Sequence, residues 1–143
     1  MLVTAVCASL LAQLIKVLLN LFIFHRFIAE RMWGAGGMPS SHSATVCAMV
    51  VATGRYCGVS SPTFAIAAVL SIIVMYDAMG VRYETGEQAK VLNRLFTEWM
   101  DQGIEQFQFP HGKKLKEMVG HTPIEVLTGA ALGIVLGFVM PMV

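Results

Sequence analysis

MLVTAVCASLLAQLIKVLLNLFIF, residues 1–24, is apolar along nearly its whole length and sets the fold class. Only Thr4, Ser9, Gln13, Lys16 and Asn20 interrupt its apolar run. At ~1.5 Å per residue a helix of this length reaches about 36 Å, enough to cross a hydrocarbon core of about 30 Å. No basic region precedes it and its apolar character continues past Gln13, so a first membrane helix is expected rather than a cleaved leader.

Three further apolar segments follow: Ser43 to about Cys57, Pro62 to Tyr76, and Pro123 to Val143. The middle two fall short of the roughly 20 residues a span usually needs, so they must extend into polar flanks, thin the bilayer or cross in part. Between Asp77 and Gly120 the chain is polar and mixed in charge. Within it Val91, Leu92, Leu95, Phe96 and Trp99 recur at helical spacing, as in an amphipathic helix on the membrane surface or packed on the bundle. The expected fold is all-α, a single domain over 1–143. It is an integral membrane bundle of about four transmembrane helices plus an amphipathic helix in the third connection.

Composition agrees. Of 143 residues, 56% are hydrophobic and 13% charged, against roughly 25% charged in soluble domains. The mean hydropathy is +0.67. Ten Lys and Arg against nine Asp and Glu give a net charge of +1, which excludes a basic nucleic-acid binder. Cys7, Cys47 and Cys57 follow no metal-ligand spacing and read as small buried hydrophobes.

With four spans, the first and third connections share one side. They hold Arg26 and Arg31, then Arg82, Lys90, Arg94, Lys113, Lys114 and Lys116; the other side has Arg55. The positive-inside rule makes the richer side cytoplasmic and both termini external.

The polar residues in the apolar segments gather at that side. Gln13, Lys16 and Asn20, three and four apart, share one helix face. Lys16 there either pairs with a carboxylate to hold the bundle or faces a polar site. Pro39, Ser40, Ser41 and His42 open the second helix, whose N-terminus suits a phosphate; capping alone would explain either serine. Asp77 ends the third span and Arg82 follows it. His121 and Glu125, four apart at the start of the last helix, let a carboxylate orient an imidazole. In an antiparallel bundle these groups meet. One histidine can attack phosphorus while the other protonates the leaving oxygen, with Lys and Arg holding the phosphoryl oxygens.

Three stretches carry a family resemblance: Gly-Gly-Met-Pro-Ser-Ser-His-Ser-Ala (36–44), Tyr-Asp-Ala-Met-Gly-Val-Arg (76–82) with Gly86, Gln88, Ala89, Leu92 and Asn93, and Gly-His-Thr-Pro-Ile-Glu-Val (120–126). In this order they resemble the divergent PAP2 family, a membrane branch related to type 2 phosphatidic acid phosphatases and vanadium haloperoxidases. The resemblance implies a phosphatase-like protein that hydrolyses a lipid phosphate or diphosphate through a phospho-histidine, without metal or other cofactor. It implies His121 as nucleophile, Glu125 as its partner and His42 as acid. Lys16, Ser40, Ser41 and Arg82 would bind phosphate, supported by Asp77, Gln13 and Asn20. The chain departs from the wider superfamily at several points. Ser41 replaces a glycine, Glu125 an aspartate, and Leu115 stands where an arginine precedes the nucleophile; Ile23 and Phe24 stand where Arg-Pro follows the first lysine.

Other readings stand beside this one. A non-catalytic transporter or binding protein for a phosphorylated lipid would keep the anion site without the chemistry. His42, His121, Asp77 and Glu125 could hold a metal, though only His121 and Glu125 have local ligand spacing. The ten methionines read as core and lipid-facing filler. Gly129, Gly133 and Gly137, four apart, permit close helix packing either within the chain or in a homodimer.

Overall fold

The computed structural model describes residues 1–24, 37–103, 109 and 112–141. Arg26, Arg31 and the Gly34–Gly36 part of the first connection lie outside the described residues. Those described form helices and no strand. The helices are α1 (Leu2–Phe24), α2 (Ser41–Cys57), α3 (Pro62–Met79), α4 (Val81–Asp101) and α5 (Pro123–Val139).

The starts and stops have local causes. Ser40 and Ser61 cap α2 and α3, and Thr122 caps α5, each accepting a bond from a backbone N–H in the first turn. Pro62 and Pro123 occupy first-turn positions where the missing N–H costs nothing. The last helix stops at Val139, short of the Val143 expected from hydropathy, because Met140 precedes Pro141 and takes an extended conformation. The third helix runs to Met79, a turn beyond Tyr76, and carries Asp77 within it.

Small residues make the interior. Along α1 the buried stripe is Thr4, Ala5, Ala8, Ala12 and Lys16. Ala8 and Ala12 meet Ala44 and Ala48 of α2, with Leu132 and Leu136 of α5 packed against them. A Cβ on Gly129 would overlap the Ser40 carbonyl, and one on Gly133 the Ala44 carbonyl. The glycine stripe is therefore filled by α2 of the same chain, and a second copy could use that face only by displacing α2. Large apolar side chains point outward instead: Leu2, Val3, Leu10, Ile66, Ile72, Leu127 and Phe138 are all exposed. That is the arrangement lipid favours, since close backbone packing rather than water exclusion joins helices there.

By length and composition two stretches can cross a membrane, Leu2–Phe22 and a window within Pro62–Asp101; Pro123–Val139 is apolar but shorter. At 17 residues each, α2 and α5 reach only about 26 Å.

The fourth helix follows α3 after Gly80 alone. Its buried residues are Gly86, Ala89 and Asn93, whereas Val91, Leu92 and Leu95 are exposed. Of the two placements expected for that apolar face, packing on the bundle is not the one seen for these three side chains. The small face of α4 instead meets the segment leading to His121.

Candidate functional site

Three chain segments meet at one end of the bundle: the start of α2, the start of α5 and the α3–α4 junction. The Ser40 N–H donates to the Glu125 carbonyl at 2.9 Å, joining the two helix starts. The His121 N–H donates to the Ala78 carbonyl at 3.0 Å, tying the approach to α5 to the end of α3.

Within that frame His121 is 2% exposed. Its Nδ1 lies 3.0 Å from Glu125 Oε2, and its Nε2 is buried with no protein partner. A carboxylate only accepts, so Nδ1 carries a proton, and in the neutral ring Nε2 then has the lone pair. The His42 ring stands edge-on to His121, centroids 6.1 Å apart, and is itself exposed. His42 lies in the electrostatic field of His121, Arg82, Lys16 and Asp77, so four other ionisable groups converge on it.

Glu125 does more than orient the ring. Its Oε2 accepts from the Thr122 N–H at 3.1 Å, while Thr122 Oγ1 accepts from the Glu125 N–H, closing a capping box. The Gly37 backbone N–H also faces the carboxylate. Gly37 has φ +87°, a conformation that favours glycine, and a Cβ there would lie in ordinary contact with the Lys16 stem. Thr122 and Gly37 carried no role in the sequence reading, although Thr-x-x-Glu ahead of an apolar run is a legible capping signal.

Lys16 is 2% exposed and interacts electrostatically with Glu125. Gln13 Nε2 donates to Ser41 Oγ at 3.1 Å, and Gln13 Oε1 is buried without a partner. Asn20 turns back on its own helix, donating to the Lys16 carbonyl at 3.0 Å. Ser40 is drawn into capping: its Oγ accepts from the Ser43 N–H and, at 3.1 Å, from the Ser43 hydroxyl. Arg82 is half-exposed and paired through Nε with Asp77. The structure thus gathers His42, His121, Glu125, Lys16, Arg82 and Asp77, while Ser40, Gln13 and Asn20 make bonds within the frame. Among the described residues no group of three or more His, Cys, Asp or Glu is placed to hold a metal. An open pocket beside the site reaches Gly37 and Glu125, bordered by Tyr83, Glu87, Lys90 and Glu117; His42, His121 and Lys16 do not line it.

A bundle that turns its large apolar side chains outward and gathers ionisable groups at one end is built for a bilayer, which puts this chain among the helical membrane proteins. It belongs to the divergent PAP2 family, whose model matches residues 1–136. It is 39% identical over 145 residues to the uncharacterised membrane protein YuiD of Bacillus subtilis (strain 168), an alignment covering 97% of this chain and 92% of that protein. No solved structure matches it.

Proposed function

We propose that this protein hydrolyses a lipid phosphate or diphosphate through a phospho-histidine at His121. The observation that carries the reading is the His121 ring: Nδ1 held by Glu125, Nε2 buried and without a protein partner. An unpartnered buried polar atom costs about 1–3 kcal/mol, so a nitrogen kept in that state has a ligand to meet.

In the first step the Nε2 lone pair bonds to phosphorus and the bond to the leaving oxygen breaks. His42, protonated, gives that oxygen its proton, and the lipid alcohol or monophosphate departs. Glu125 holds the Nδ1–H and stabilises the positive ring as the P–N bond forms. In the second step His42 takes a proton from water, the hydroxide bonds to phosphorus, and the P–N bond breaks to release phosphate. Lys16, Arg82 and the start of α2, with Ser40 and Ser41, bind the phosphoryl oxygens. Four membrane crossings with the site on the cytoplasmic side complete the proposal, because most Lys and Arg share that side.

A second reading, an anion-binding or transport protein without hydrolysis, draws on Leu115 and Arg82. The main chain of Leu115 is bonded to Asn93, so no arginine enters the site from there, and Arg82 is engaged by Asp77. Phosphate release by the purified protein from a panel of lipid phosphates and diphosphates separates the two. Hydrolysis predicts release that His121→Ala abolishes. Binding of the same lipids with no release rejects the enzymatic reading, and release that survives His121→Ala rejects His121 as its nucleophile.

A further inference from the structure

We propose that Asn93, on α4, is the positioning residue that sets where His121 sits. The run from Lys114 to Gly120 has no helix or strand of its own, so its backbone polar groups need outside partners. Asn93 is 4% exposed and supplies them from both sides of one residue. Its Oδ1 accepts from the Leu115 N–H at 2.8 Å, and its Nδ2 donates to the Leu115 carbonyl at 2.9 Å. The same Nδ2 donates to Glu117 Oε1 at 2.8 Å. An amide side chain alone carries donor and acceptor in this pairing, which copies the bonds of a neighbouring strand.

The rest of the buried α4 face continues the track. Asn93, Ala89 and Gly86 lie three and four apart on one stripe. A Cβ on Gly86 would overlap the Glu117 carbonyl, and one on Gly120 would overlap the Tyr83 backbone. The segment therefore lies directly against the helix from its Asn93 end to its Gly120 end. The next residue is His121, whose N–H is fixed on Ala78. Glu125 orients the ring, and Asn93 fixes the register of the segment that delivers it. This assigns work to Gly86 and Asn93, motif residues that touch neither histidine, and it holds whether His121 attacks phosphorus or only binds an anion.

Histidine modification by diethyl pyrocarbonate tests the proposal without any substrate. Each histidine is read by peptide mass spectrometry on the full-length protein in detergent. In the wild type His121 should react far more slowly than His42, which is exposed and serves as the internal standard. Asn93→Ala should raise the His121 rate by about tenfold through local opening, with His42 unchanged. Asn93→Asp keeps the size and the acceptor for the Leu115 N–H but loses the donors and faces Glu117; it gives the same reading where the alanine variant does not fold. Arg55→Ala, which removes bonds at the opposite end of the bundle, controls for general loosening and should leave His121 protected. A His121 rate unchanged in the Asn93 variants, or raised equally by Arg55→Ala, overturns the proposal. Absence of phosphate release from the wild type would reject the hydrolytic reading and leave this result standing.

Discussion

One oxygen of Glu125 accepts from both His121 Nδ1 and the Thr122 N–H, so the residue is at once ring partner and helix cap. The two duties predict different losses. Glu125→Gln keeps the shape and an acceptor oxygen but removes the charge that steadies a positive imidazole. Turnover should fall by about 10²–10⁴-fold, by analogy with removing the triad carboxylate in serine proteases. Thermal unfolding in detergent should record a loss of about 1 kcal/mol from the weakened cap. A competing duty is pairing with Lys16, which is buried and interacts with Glu125. If that were its main role, Glu125→Gln would destabilise by roughly 3–5 kcal/mol and adding Lys16→Met would restore stability. That rescue would reject the ring-partner assignment. At this scale the sequence carried His121, Glu125, Lys16 and His42 through helical spacing and motif order. It did not carry Gly37, which meets Glu125 from far along the chain, nor the sharing of Oε2 between His121 and Thr122, because spacing alone does not say which carboxylate oxygen each donor meets.

Among the helices, α2 and α5 are joined by backbone contact along the glycine stripe. Gly133→Val should unfold the protein or lower its melting temperature sharply, because the added Cβ meets the Ala44 carbonyl and main chain cannot rotate aside. Leu127→Ala, on the exposed face of α5, should change it little. At the far end Arg55 Nη1 donates to the Gly137 carbonyl at 2.6 Å and the Met140 carbonyl at 2.9 Å, closing the C-terminus of α5. Arg55→Ala should cost about 1.5–3 kcal/mol by the same unfolding measurement, with phosphate release per folded molecule unchanged. Hydropathy located four of the five described helices to within a few residues, since apolar runs and proline punctuation are local signals. The use of α4 was not legible. Its apolar residues drew attention, whereas the face that docks consists of Gly86, Ala89 and Asn93, whose partner is far along the chain.

For the molecule as a whole the site must lie on one side of the membrane, and Cys57 reports which. It is exposed, at the end of α2 opposite the histidines, while Cys47 is buried. An impermeant maleimide should label Cys57 on intact cells. In a Cys57→Ser background, Lys113→Cys should react only after permeabilisation; the reverse pattern would place the site outside. Whether His121 is a nucleophile is decided by trapping the intermediate. The purified protein would be mixed with a lipid phosphate, quenched in alkali within one turnover and digested for mass spectrometry. A nucleophilic His121 should leave an acid-labile phosphoryl group on the His121 peptide, absent from the His42 peptide and lost in His121→Gln. Phosphate release in the wild type with no phosphorylated His121, or with the label on another residue, would contradict it.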